Sequence, residues 1–267
     1  MLLKSIGTKL AIGVITGVLT LSPAILTVSH AGTKEKALGV EVNGQKLVTD
    51  VPPVIVKGRM LLPLRVLGKA LGAQVTWDAA TQKATVKKEQ TELVFSPGGT
   101  EFRVNGQKAK LDVAPRLQQG RMLIPGRILA EKLGFRVFYH QAGQEVSIDN
   151  RPADQLLKPN VSWQAANDKS IRFILKIKNE ARVPVVLNFN DGQDFDVVIT
   201  RNAKQVYRWS DGKAFTAALR DVEYRPGEEK QFTWEWKPGE DGKYLLEIYY
   251  LGIARNKPVL KQEIEVK

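Results

Sequence analysis

Cysteine is absent from these 267 residues, and histidine occurs only twice. The first absence excludes disulfides, thiolate metal sites, cysteine nucleophiles and attachment through a lipidated cysteine. Beyond the leading segment one histidine remains, His140, too few for a histidine-rich metal centre and poor material for a Ser-His-Asp triad. There is no Gly-x-Ser-x-Gly and no glycine-rich phosphate loop. No catalytic, cofactor or metal residue is assigned. Acidic residues are the minority charge, 28 against 40 basic, for a net +12. The excess is +2 over residues 1–31, +7 over 32–150 (18 basic, 11 acidic) and +3 over 151–267 (20 basic, 17 acidic). Such a diffuse excess draws polyanions weakly and yields to salt; plain solubility explains it equally well.

Long apolar runs are missing except at the start. Lys4 and Lys9 flank a stretch from Leu10 to Val28 that is apolar apart from small polar residues, and Ser29-His30-Ala31 offers small residues at a cleavage site. Residues 1–31 are therefore expected to be a cleaved export signal. The run of about 19 residues could span a bilayer, but Gly13, Thr16, Gly17, Thr20, Ser22 and Pro23 weaken it. A membrane is a partner only if this segment is retained. The expected location is secreted or cell-envelope associated. The polyanions there are wall polymers and lipid headgroups, and nucleic acid is not an expected partner.

What the chain does have is an internal duplication. Residues 42–87 and 104–149 align without a gap at an offset of 62, with about 20 of 46 pairs identical. Val42 to Lys46 returns as Val104 to Lys108, Gly58 to Arg65 returns as Gly120 to Arg127, and Asp50 meets Asp112. Each copy places an Asn-Gly turn (Asn43-Gly44, Asn105-Gly106) after a short strand. An extended piece follows, through Val54–Val56 or Leu117. A helix opens at Pro63 or Pro125 and ends at a left-handed Gly72 or Gly134. Two more strands close the copy, through Val75 and Trp77 then Ala84–Val86, or Val137 and Tyr139 then Val146–Ile148. The expected fold over 38–150 is α+β: a small antiparallel sheet around one helix, made twice (about 40–88 and 102–149). Gly126, where the first copy has Leu64, should cost its helix about 1 kcal/mol relative to alanine. Arg65 and Arg127 are anion ligands, structural bridges or backbone contacts, and His140 reads as a surface turn residue.

The Val-Asn-Gly, Gly-Arg-Met-Leu-Leu-Pro-Leu-Arg and Val-Thr-Trp-Asp (Val75 to Asp78) segments resemble the copper amine oxidase N-terminal domain, the stalk domain. The resemblance does not bring copper chemistry. The oxidase's metal and quinone belong to a catalytic domain that this chain lacks.

Pro152 and Pro159 mark residues 151–159 as a short stiff linker. From 160 to 267 the apolar period becomes two: Ile171 to Ile177, Val185 to Phe189, Phe195 to Ile199, Phe232 to Trp236 and Tyr244 to Tyr250. Asp-Gly and Pro-Gly turns punctuate these runs, so seven or eight strands in an all-β sandwich are expected. Asp241-Gly242-Lys243-Tyr244 looks like a tyrosine corner. Asp191, Asp194 and Asp196 lack calcium-loop spacing and read as strand alternation with outward acids.

Gln193 to Val198, Val206 to Thr216, Pro226-Gly-Glu and Gly242-Lys-Tyr244 are similar to the BsuPI family, the intracellular proteinase inhibitor domain. That resemblance implies an immunoglobulin-like sandwich and inhibition of a subtilisin-type serine protease. An inhibitor of that kind presents a rigid extended loop, which here must be stiffened by packing. The candidate contact loop is Arg208, Trp209, Ser210, Asp211, Gly212, Lys213 and Phe215, with Trp209 and Phe215 as anchors or as plain core. The expected function is an exported, non-enzymatic, envelope-associated protein. Its sandwich binds and blocks an extracellular serine protease. The alternative is a structural or adhesive envelope protein that binds an anionic wall polymer or a surface protein without inhibiting anything.

Overall fold

The computed structural model describes residues 38–166 and 169–267; the expected export signal lies outside them. The described chain is mostly β, with three short α-helices. In the first copy, β1 (Gly39–Val42) and β2 (Gln45–Lys46) form a hairpin over Asn43 and Gly44, both at positive φ as a type I′ turn demands. β3 (Val54–Val56) and β4 (Arg59–Pro63) form the next hairpin. α1 (Leu64–Ala70) ends at Leu71, and Gly72 follows at φ +72°. β5 (Gln74–Asp78) and β6 (Lys83–Lys88) complete the copy, and β7 (Thr91–Phe95) leads out of it. The second copy repeats the plan as β8 (Glu101–Val104), β9 (Gln107–Lys110), β10 (Arg116–Gln118), β11 (Arg121–Pro125), α2 (Gly126–Lys132), β12 (Arg136–His140) and β13 (Glu145–Asp149). Pro63 and Pro125 end their strands one residue before the helices, rather than opening the helical turns themselves.

The copies do not fold separately, which corrects the expectation of one sheet around one helix made twice. Every sheet here mixes them: β12-β13-β1-β2, β10-β11-β4-β3 and β5-β6-β7-β8-β9. β1 even runs parallel to β13. In the antiparallel β4–β11 pair, Leu62 faces Ile124. These positions are 62 apart, so equivalent residues meet, and a local two-fold axis passes between them. Arg59 bridges Asp112 at 2.7 Å and Arg121 bridges Asp50 at 2.6 Å, a reciprocal pair obeying the same axis. Isolated two-stranded hairpins are marginal; exchanging strands joins each of them into a sheet of four or five strands. Leu67 and Leu129 accordingly share one core, and Val51, Leu61, Val113 and Leu123 form a second, symmetric cluster.

The expected linker is itself structured. α3 (Ala153–Leu156) and the start of β14 (Leu157–Ala165) occupy it, because Leu156 and Leu157 are buried in the second core. β15 (Ile171–Asn179), β16 (Val185–Phe189), β17 (Phe195–Arg201), β18 (Lys204–Arg208), β19 (Arg220–Tyr224), β20 (Glu229–Trp236), β21 (Gly242–Tyr250) and β22 (Leu260–Val266) follow. All pair antiparallel, as β14-β15-β20, β16-β19 and β18-β17-β21-β22. Their apolar faces meet in one core, an arrangement consistent with a β-sandwich. β14, β18 and β19 are strands that apolar alternation did not mark. Phe173 stacks on Trp234 with centroids 4.9 Å apart, and the Tyr244 hydroxyl donates to the Glu240 carbonyl at 2.6 Å, closing the tyrosine corner. Arg182 ties this half to the duplicated half by forking onto Glu41 and Glu145.

Two predictions follow from this packing. A Cβ on Gly126 would lie 2.6 Å from Leu62 Cδ1, and Leu62 is 1% exposed. Gly126→Ala gains about 1 kcal/mol of helix propensity but overpacks a core at a cost of about 1–3 kcal/mol. Net destabilisation in denaturant unfolding is expected, and stabilisation refutes this account of the glycine. The second concerns Tyr224 and Tyr250, fully buried with hydroxyls bonded to each other. Burial pushes Tyr250 up to about 12 and raises Tyr224 as well, the adjacent Tyr250 adding to it. Unfolded tyrosines ionise near about 10. The native state thus holds protons that the unfolded chain releases. Their contribution is complete below that pH and is lost as pH climbs through the native values. The unfolding free energy should fall above pH ~10. In the folded protein, phenolate absorbance from this pair should appear at higher pH than that of unfolded tyrosine.

Candidate functional site

The loop joining β18 to β19 brings the sequence candidates together around a carboxylate that alternation placed outside. Asp196 is 3% exposed and lies beneath the loop. The expectation of an outward acid fails because the loop folds back over that face of β17. Asp196 Oδ2 accepts from Arg208 Nε at 2.7 Å and from the Ser210 hydroxyl at 2.9 Å. Asp196 Oδ1 accepts the backbone N–H groups of Ser210 (3.1 Å) and Val197 (2.9 Å). Trp209 N–H donates to the Val197 carbonyl at 2.9 Å, so backbone and side chains clamp the same point. Buried carboxylates hold position when their lone pairs are filled in this way.

Aromatic contacts fix the next stretch. The Trp209 ring packs 4.4 Å from Phe195 and 5.8 Å from Phe215, and Lys213 Nζ sits 4.5 Å above its centre. Trp209 is therefore an anchor on the sandwich core rather than a free contact residue. Asp211, Gly212 and Lys213 form the exposed tip, with Gly212 at φ +74°. Lys213 N–H closes the turn onto the Ser210 carbonyl at 3.1 Å.

Beyond Phe215 the loop continues without regular secondary structure, and this part escaped the sequence reading. Gly192 N–H donates to the Thr216 carbonyl at 2.8 Å. A Cβ on Gly192 would sit 2.5 Å from Thr216 Oγ1, so a glycine is needed for the approach. Ala217, Ala218 and Leu219 are exposed, Leu219 at 83%. Arg220 then fastens the far end. Its Nε donates to the Asp191 carbonyl at 3.0 Å, its Nη2 bridges Asp194 at 2.9 Å, and its guanidinium covers the Phe189 ring. Asp191 also bridges Arg255 at 3.2 Å. The three acids thus serve the loop and its surroundings. Their pairing with arginine, the alanine-rich stretch and Gly192 carry no short sequence signature.

His140 is not a turn residue; it ends β12 and is half-buried. Its Nε2 lies 2.9 Å from Ser147 Oγ, which donates its proton to Glu41 Oε1 at 2.7 Å. With that proton committed, the imidazole must be the donor to Ser147 and cannot serve as its base. Ser147 is 2% exposed, and Glu41 is also held by Arg182. This trio is a structural network and not a nucleophile with its base. Among the described residues, no three His, Cys, Asp or Glu side chains are grouped to hold a metal ion.

Residues 41–148 match the family model of the copper amine oxidase N-terminal domain, and residues 157–254 match that of the intracellular proteinase inhibitor. A protein named "Protease inhibitor" from Brevibacillus choshinensis is 32% identical over 124 residues, which are 44% of this chain and 37% of that protein. The chain thus spans little more than a third of that relative's length. Among solved structures, a beta-glucosidase from Kluyveromyces marxianus matches 42% of this chain and 14% of its own at a TM-score of 0.25 and 14% identity. A CARDB domain from Pyrococcus furiosus matches 41% of this chain and 93% of its own at 0.24 and 18%. Likeness at these scores carries no argument.

Replacing Asp196 by alanine removes the clamp while leaving its donors unpaired. The expected cost is about 1–3 kcal/mol in denaturant unfolding, with faster amide exchange at Trp209 and Ser210 while β20 and β21 keep their protection. Unchanged exchange at those amides would mean that Asp196 does not hold the loop.

Proposed function

From a chain that joins a copper amine oxidase N-terminal domain (residues 41–148) to an intracellular proteinase inhibitor domain (residues 157–254), we propose a non-enzymatic protein that blocks a subtilisin-type serine protease. The loop from Trp209 to Leu219 is the contacting segment. The observation that carries this reading is its clamping at both ends, by Asp196 on one side and Arg220 on the other. A loop already ordered before binding avoids most of the entropy cost of being ordered by the enzyme. Leu219 supplies a large exposed apolar side chain for a specificity pocket. The immunoglobulin-like sandwich is the frame that sets loop geometry. The name of the Brevibacillus relative supports an inhibitory role.

The stalk-like half holds the protein at the cell envelope, and the lysine-flanked apolar leader exports it. The target is then extracellular. The rival reading, an adhesive envelope protein without inhibitory activity, draws on the basic excess of residues 32–150.

Titration of the full chain against a secreted subtilisin-type protease separates the two. One-to-one loss of peptidase activity is expected, and Leu219→Asp should weaken it by at least about tenfold, the loss of one good hot spot. That position is exposed, so the variant should unfold at the parent's denaturant midpoint. No loss at large molar excess, or cleavage of the loop with the protease left active, removes the inhibitory reading.

A further inference from the structure

Strand exchange builds two matching grooves in the duplicated half. The first, about 420 Å³, lies between the α1–β5 segment of one copy and the β10–β11 hairpin of the other; Arg65, Trp77, Leu117 and Arg121 line it. The second, about 460 Å³, lies between α2–β12 and the β3–β4 hairpin; Arg127, Tyr139, Ile55 and Arg59 line it. Each residue of the first set is 62 positions from its counterpart in the second. The two-fold axis that relates Leu62 to Ile124 therefore relates the grooves.

Three features set these grooves apart from ordinary surface. Their apolar linings are exposed: Trp77 at 38%, Leu117 at 53%, Tyr139 at 36% and Ile55 at 51%. Such side chains in a concave setting mark binding surfaces. Each groove also holds two guanidiniums of different status. Arg121 and Arg59 are paired to Asp50 and Asp112. Arg65 and Arg127, exposed at the start of the helices, make no ion pair or hydrogen bond among the described residues. The structural bridge that would have explained their repetition is absent. Finally, the groove volumes fall in the range of small-ligand sites, about 300–1,000 Å³, which suits a short segment of a polymer rather than a folded partner.

We infer that each groove binds one acidic sugar segment of a carboxylate-bearing glycan, with the pyranose face on Trp77 or Tyr139 and the carboxylate on the guanidinium of Arg65 or Arg127. An exposed aromatic plate suits the flat C–H face of a sugar ring, and a free guanidinium forks onto a carboxylate through two parallel hydrogen bonds. The +7 charge of residues 32–150 draws a polyanion to this half. An alditol-phosphate chain has the charge but no ring face to stack, so the aromatic plate favours the sugar acid. Because a two-fold axis relates the grooves, they accept segments running in opposite senses and so bridge separate strands. The inference concerns residues outside the inhibitor domain and holds whether or not that domain blocks a protease.

Calorimetric titration of the full chain with hexagalacturonate tests it. Two segments bound per chain are expected, weakening with salt, with a neutral maltohexaose binding at least about tenfold less tightly. Trp77→Ala should leave one site per chain, and so should Tyr139→Ala. Arg65→Gln, exposed and without a partner to lose, should weaken one site by at least about tenfold with an unchanged unfolding midpoint. Absence of binding overturns the inference. So do unchanged stoichiometry in Trp77→Ala, unchanged affinity in Arg65→Gln, and a polyphosphate that binds as tightly as the uronate.

Discussion

The β4–β11 pairing, with Leu62 against Ile124, is the contact on which the duplicated half depends. It lets neither copy close on itself. Once equivalent strands pair antiparallel, the strands on either side of each helix enter different sheets, and each sheet is completed with strands of the other copy. Gly126 belongs to this constraint. Leu62 beside the axis, 1% exposed, would lie 2.6 Å from a Cβ at position 126, and Leu67 fills the space behind it, so that position must be bare. A perfect repeat would put a leucine at 126 into space that Leu62 and Leu67 already fill.

The same exchange explains which repeated residues carry structure. Asp50 and Arg59 recur because each pairs with the other copy's partner, as Arg121–Asp50 and Arg59–Asp112. Both bridges are exposed, so their worth lies in fixing hairpin direction more than in stability. Arg65 and Arg127 recur without such partners, and that difference separates a structural repeat from a repeated surface.

Much of this was legible in the residues. Asn43-Gly44, Asn105-Gly106, Gly72 and Gly134 announced left-handed turns because few other residues tolerate positive φ. The alternation of Phe173, Leu175 and Ile177, or of Tyr244, Leu246 and Ile248, announced half-buried strands because a sheet face imposes a period of two. Pairing partners were not legible. Periodicity says which face of a strand is buried and not which strand lies beside it, so the exchange between copies left no local trace. Asp196 was misjudged for a related reason. Alternation presumes water on the outer face, whereas here a loop covers it and burial runs unbroken from Phe195 to Ile199. β18 escaped notice because Lys204, Gln205, Val206 and Arg208 are all exposed on an edge. The supposed linker misled because Pro152 and Pro159 suggest stiffness while Leu156 and Leu157 supply the apolar anchors that dock it.

A chain without cysteine must stiffen a long loop by other means, and the β18–β19 loop shows the form this takes. Where a disulfide would join two points covalently, Asp196 collects four donors from Val197, Arg208 and Ser210. Trp209 adds a large ring against Phe195, which immobilises the adjoining residue at low side-chain entropy cost. At the far end Arg220 joins Asp194 to the Asp191 carbonyl, and its flat cation lies on Phe189. None of these contacts is strong alone in partly solvated surroundings. They gain from being contiguous, since each one holds groups that the next would otherwise have to order. The exposed residues from Ala217 to Leu219 lie between the Thr216–Gly192 contact and Arg220, too short a span to wander between fixed ends. Rigidity in this loop is a property of the sheet beneath it, so a substitution in β17 should alter the loop more than one at its tip.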